Sequence, residues 1–367
     1  MGVTYTTSGV GAGLWNFPNT SPPRLTPNDV IVTSLTSTSL VGNADLGGGA
    51  SIVFELTGQF SNIEGQVGKG LGDVTQTVTG FFSAESSTVT SDGAQYTDRF
   101  TYNPPETLAP ITTLAETQAE IETMYAGDDL FIGDRVNAGG DGIYGYGGND
   151  RFVMTYSDEY TEKFRGGEGV DTAVFESASE HWTINSTDSA WNTFTQQGDL
   201  IGYNVTDTRF LETDTYGQFG HTLQIVEVER LEFTDKKVAL DFDRGDNSYK
   251  AASLITTMFG AELIPTYFSP AVSLVDQGST DGQIAQLVID LGLLDTSSNE
   301  TFFSEIYQNV LGVEPDALTQ ALYVNQLDSG QLSHAGLVVI GSNASIIEAQ
   351  MSELTTWREV GLEYLGF

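Results

Sequence analysis

Apolar residues follow three rhythms along the chain. From Val30 to Tyr102 they fall in β-branched and aromatic runs, VIVTSL (30–35), SIVFEL (51–56), VTQTVTGFF (74–82) and DRFTY (98–102), divided by Gly, Ser, Asn and Asp. Alternation at period two, clearest over 74–82, gives a strand one buried and one wet face. Residues 1–110 therefore read as a β-rich N-terminal domain with a sandwich-like sheet. Adjacent prolines in NPPETLAP (103–110) cannot donate to a ladder and end it. Residues 111–124, ITTLAETQAEIETM, predict a linker or short helix with Leu114, Ile121 and Met124 near one face.

The second rhythm is Gly-rich and acidic. AGDDLFIGD (126–134), GGDGIYGYGGNDRFVM (139–154) and FRGGEGVDTAVF (164–175) each place a Gly-rich turn before an Asp. One variable residue and an apolar or small one follow, as in Asp129/Phe131, Asp141/Ile143, Asp150/Phe152 and Asp171/Ala173. Asp141 and Asp150 are nine residues apart, the nonapeptide period of a cation-binding parallel β-roll. The apolar residue of each unit would point inward from a short strand, and the glycines would let turn carbonyls approach one another at positive φ. Stacked turns carrying Asp oxygens can enclose a hard cation in about six to eight oxygen ligands. Facing carboxylates repel until it binds, so binding energy appears as folding energy.

These units resemble the repeats-in-toxin (RTX) family of bacterial proteins exported by type I secretion, whose repeat reads G-G-x-G-x-D-x-U-x with U apolar. GGNDRF (147–152) matches in part; GGEGVDTAV (166–174) keeps the glycines but has Ala173 at the apolar position, and Ala126 replaces a Gly in the first unit. The resemblance implies Ca²⁺, about one to three ions for so few units. The candidate ligands are Gly127, Asp128, Asp129, Asp134, Gly139, Asp141, Gly147, Asn149, Asp150, Gly166, Glu168 and Asp171. Further strands are expected in TAVFES (172–177), HWTIN (181–185), LIGYNVTD (200–207) and 221–242. The last of these, VERLEFTDKKVALDF (228–242), resembles the segment that closes RTX repeats, so residues 125–243 read as a β-roll continued into a β cap.

From about residue 247 apolar residues recur at i, i+3, i+4 and i+7, with Gly260, Gly278, Gly312 and Gly330 near the segment ends as C-caps. Residues 244–367 thus predict an all-α bundle of about five to seven helices. Residues 302–333 resemble a helical module of unassigned function found at the C-termini of RTX-type and surface-layer-like secreted proteins. Val313 stands where that module typically has Arg, and Tyr323 where it has Trp. Phe302, Phe303 and Tyr307 read as core.

Composition narrows the function. A net charge of −36 argues against nucleic acid and anionic membranes. With no cysteine there is neither a disulfide nor a thiolate ligand, so a secreted chain would need another clamp. The first twenty residues lack the basic and long apolar regions of a cleaved signal, and no long apolar run predicts a transmembrane segment. Export by the type I secretion machinery, through a C-terminal signal, fits both features. Catalytic motifs are missing: none of His181, His221 and His334 lies in H-E-x-x-H, and no G-x-S-x-G occurs. GVGAG (9–13) lacks the lysine of a phosphate loop, and the acids Glu55 and Glu64 have no readable geometry.

The sequence therefore predicts a non-enzymatic, mixed multidomain protein, secreted to the extracellular space or cell surface. There calcium would drive folding and self-association, or association with matrix components, in a surface layer, matrix or filament. The alternatives are a glycan- or surface-binding module, with Trp15, Phe17, Tyr96 and Tyr102 as stacking candidates, and a secreted hydrolase.

Overall fold

The computed structural model describes residues 3–8, 31–36, 39–47, 50–57, 82–89, 95–102, 127–133, 143–154, 162–187, 202–210 and 222–365. The expected helix over 111–124 lies outside these residues, as does the expected strand over 74–82 apart from Phe82. The chain divides into two compact units, Met1–Thr234 and Asp235–Phe367. It mixes two sheets with several C-terminal helices.

One sheet of the first unit runs in the spatial order β15 (Arg230–Glu232), β11 (Thr172–Phe175), β9 (Arg151–Met154), β7 (Leu130–Gly133), β1 (Val3–Ser8), β6 (Gln95–Tyr102), β5 (Phe82–Val89), β4 (Ala50–Thr57), β3 (Ser39–Gly47) and β2 (Ile31–Leu35). Strands β2 to β6 form an antiparallel meander. β1 is the joint: it pairs antiparallel with β6 and parallel with β7. The other sheet runs β12 (Trp182–Thr187), β13 (Gly202–Asp207), β14 (Thr222–Val226), β10 (Glu162–Glu168) and β8 (Ile143–Gly147).

The Gly/Asp region repeats every 21 residues. Phe131 pairs with Phe152 and Phe152 with Ala173, and on the other sheet Ile143 pairs with Phe164, all in parallel ladders. The step of nine from Ile143 to Phe152 carries the chain from the second sheet to the first; the step of twelve from Phe152 to Phe164 brings it back. A nine-residue spacing thus describes only part of the 21-residue repeat, and the unit that stacks on itself is the longer one.

The apolar residue of each unit builds the core. Phe131, Phe152, Ala173 and Leu231 hold one register position on four neighbouring strands and are all at most 4% exposed. From the other sheet come Phe164 and Ile225, also register partners and fully buried. Phe164 lies against Phe152 with ring centroids 5.2 Å apart. Each such side chain contributes about 1.5–3 kcal/mol by leaving water.

The second unit holds α1 (Asn247–Phe259), α2 (Ile264–Asp276), α3 (Asp281–Asp290), α4 (Asn299–Leu311), α5 (Ala317–Asp328), α6 (His334–Ser342) and α7 (Leu354–Val360). Its core gathers Leu254, Ile255, Phe268, Phe302, Phe303 and Val338. Gly260 and Gly312 cap α1 and α4 at φ 90° and 71°. Helix α6 escaped the sequence reading because HAGLVVIGS is apolar on nearly every side and shows no helical period. At the C-terminus LEY, expected to continue a helix, instead forms β17 (Leu362–Tyr364), antiparallel to β16 (Lys237–Ala239). Gly361 ends α7 at φ 79°, where a Cβ would lie only 2.4 Å from Val238 Cγ1.

Candidate metal centre

On one side of the first unit the short turns stack. Gly145–Asp150 runs from the last residues of β8 to β9, Gly166–Asp171 from the last residues of β10 to β11, and Glu227–Glu229 from β14 to β15. Each Asp is held by the turn that follows it. The Asp129 N–H donates to Asp150 Oδ1 at 2.8 Å, and the Asp150 N–H donates to Asp171 Oδ1 at 2.7 Å. The column ends on a glutamate, with the Asp171 N–H donating to Glu229 Oε2 at 2.7 Å. Backbone rungs run alongside, from the Arg151 N–H to Asp129 O and from the Thr172 N–H to Asp150 O, both 2.8 Å. Further out, the Asn149 N–H donates to Asp128 Oδ1 at 2.7 Å and the Val170 N–H to Asn149 Oδ1 at 2.8 Å.

This ladder uses one oxygen of each buried carboxyl and leaves the other. Asp150 and Asp171 are fully buried, and their Oδ2 atoms take no hydrogen bond. Each orphaned oxygen faces a main-chain carbonyl across a glycine. The point where a Cβ on Gly145 would sit is 1.9 Å from Asp150 Oδ2 and 2.6 Å from Gly166 O. The equivalent point on Gly166 is 2.1 Å from Glu227 O and 2.2 Å from Asp171 Oδ2. A bare buried carboxylate oxygen beside a carbonyl oxygen is a repulsive pair. Such a donor set, one carboxylate with main-chain carbonyls, suits a hard cation with oxygen ligands at about 2.3–2.6 Å. Among the described residues no three His, Cys, Asp or Glu side chains converge to hold a metal, so backbone oxygens would have to supply most ligands.

The proton equilibria reflect this. Burial pushes the Asp150 carboxyl up to about 7, against the opposing N–H of Asp129. Burial and then the charge of Glu229 push Asp171 up to about 9. Both groups therefore favour the protonated form in the absence of a cation.

The structure brings Asp129, Asp150 and Asp171 into one column, with Asp128 and Asn149 in a second. Gly166 supplies a carbonyl and the space beside it. Gly147 and Glu168 are register partners at the ends of β8 and β10, and the Glu168 carbonyl accepts the Gly148 N–H at 2.8 Å. Gly127 precedes the first turn, where a Cβ on Gly148 would strike its carbonyl oxygen at 2.6 Å. Asp134, Gly139 and Asp141 lie outside the described residues. Sequence reasoning missed Gly145, Glu227 and Glu229. The signal for the last was present: Glu229, Arg230 and Leu231 repeat the acid, variable, apolar order of Asp129 to Phe131. Gly145 stands 21 residues before Gly166, a period hidden by the nine-residue spacing. Tyr146, at φ 68°, pairs in register with Gly167, at φ 115°.

Comparison with family models, with curated proteins and with solved structures finds no match for this chain.

Proposed function

We propose that the protein is a calcium-dependent structural protein of the bacterial cell exterior, whose stacked turns form a short RTX-like β-roll. The observation that supports this most directly is the pair of orphaned, buried carboxylate oxygens, each beside a carbonyl across a glycine. On this reading Asp150 Oδ2 and Gly166 O hold one Ca²⁺, and Asp171 Oδ2 and Glu227 O hold a second. Bound calcium neutralises the facing oxygens and ties consecutive coils together. Ile225 to Leu231 spans six residues where their register partners Phe164 and Ala173 are nine apart, and Glu229 takes over the side-chain bond to the preceding N–H. The array ends there. The net charge of −36, the lack of cysteine and the resemblance of the repeats support export by the type I route and function outside the cell. Calcium then both folds the roll and promotes self-association or attachment to surface components.

Calorimetric titration of the chelated full chain with CaCl₂ tests the reading. We expect about two ions per chain. Asp150→Asn and Gly166→Ala should each abolish at least one binding event, whereas Glu55→Gln should leave both. An unchanged titration in the first two variants refutes the metal assignment. Assembly is tested separately by electron microscopy with and without calcium; an absence of ordered assemblies at millimolar calcium refutes only that part.

A further inference from the structure

The second unit carries a surface that calcium does not explain. Helix α5 packs on α4 and turns Ala317, Leu318, Ala321 and Leu322 outward, at the i, i+1, i+4 and i+5 spacing of one helical face. Leu318 is 85% exposed and Leu322 is 56% exposed. Single exposed leucines are ordinary, but two on adjacent turns, beside exposed alanines, make a continuous apolar stripe.

Charge around the stripe is of one sign. Between Lys250 and Arg358 the sequence has no Lys or Arg and twelve Asp and Glu, so no cation of this stretch offsets the field there. Glu314 and Asp316 stand exposed before the stripe, and Asp328 beyond it. The Thr319 N–H and hydroxyl hold the Asp316 carboxyl below the usual range, which keeps that end anionic.

We infer that the outer face of α5 docks a cationic amphipathic helix of another protein. A helix bearing leucines on one side and Lys or Arg at its margins covers Leu318 and Leu322 while answering Glu314, Asp316 and Asp328. Helix-on-helix docking of this kind buries i, i+4 anchors in an apolar seam, and opposite charge at the margins speeds encounter and fixes orientation. A second copy presenting the same face would bring like charges together at both margins. An anionic lipid surface or nucleic acid would be repelled outright.

The test is fluorescence anisotropy of a labelled synthetic Leu/Lys amphipathic helix with the full chain in calcium. A Lys/Gly peptide of equal charge and a Leu/Glu helix are the controls. The Leu/Lys helix should bind at least about tenfold more tightly than either control. Leu318→Ser with Leu322→Ser should weaken it by about tenfold or more, with Leu318→Ser alone intermediate. Leu291→Ser, at an exposed leucine after α3, should leave binding unchanged, and all variants should keep the parent helical circular dichroism. Equal binding of the Lys/Gly peptide, an unaffected double variant, or equal loss in Leu291→Ser overturns the inference. A dimer of the chain alone that dissociates in the double variant also overturns it, in favour of a second copy.

Discussion

Asp150 and Asp171 each accept one hydrogen bond from the turn below and leave one oxygen buried without a partner. Their folded-state values, about 7 and about 9, stand above the ordinary carboxyl value of 3.8. Without calcium the folded chain thus binds more protons than the unfolded chain across that interval. These groups stabilise the fold below about pH 4 and lose that contribution as pH rises through about 7 and then about 9. Calcium takes the deprotonated form, so its affinity should rise with pH over the same window. We expect the melting temperature in chelator to fall between about pH 5 and about pH 9, and added CaCl₂ to restore most at the alkaline end. Asp150→Asn should flatten the first part of that dependence, which scanning calorimetry would read directly. The acid, variable, apolar signature was legible because chemistry and core share a two-residue offset. Gly145 was not, since its importance comes from an atom 21 residues away: the Gly166 carbonyl, which only stacking brings near.

At the scale of elements, period decided what sequence could tell. Helices α1 to α5 were readable because their apolar residues recur at helical spacing and end on capping residues. Thr280 and Gln283 form a capping box before α3, and the Asp316 carboxylate caps α5. Helix α6 was hidden by apolar residues all round, and β17 by the assumption that an amphipathic segment stays helical past Gly361. Close approach explains what propensity could not. A Cβ on Gly341 in α6 would meet Thr257 Cγ2 at 2.7 Å and Val310 Cγ2 at 3.0 Å. Gly341→Leu should therefore destabilise the helical unit by about 1–3 kcal/mol through overpacking. Thermal unfolding followed by helical circular dichroism measures this, and the calcium titration of the same variant should match the parent. In the sheets several strands were visible as runs, but β1, β3 and β5 were not, and β1 is the strand that joins the antiparallel meander to the parallel ladder.

The whole molecule divides its charges unevenly, and its two units respond to different chemistry. The mix of sheets with C-terminal helices was legible because the strand-like and helical rhythms fall in different parts of the sequence. How the parallel ladders end was not, because the Glu227–Glu229 segment is defined by pairing partners 58 to 62 residues away. Arg151 and Arg165 lie on β9 and β10, paired with Glu232 and Glu227. Trypsin should cut at these two arginines in chelator and spare them in calcium, with gel bands that follow the cation. From Ala251 to Arg358, by contrast, the protease has nothing to recognise. That fragment should survive digestion whole whether the helices are folded or melted, giving every lane an internal length standard and making a proteolytic screen blind to the state of that stretch.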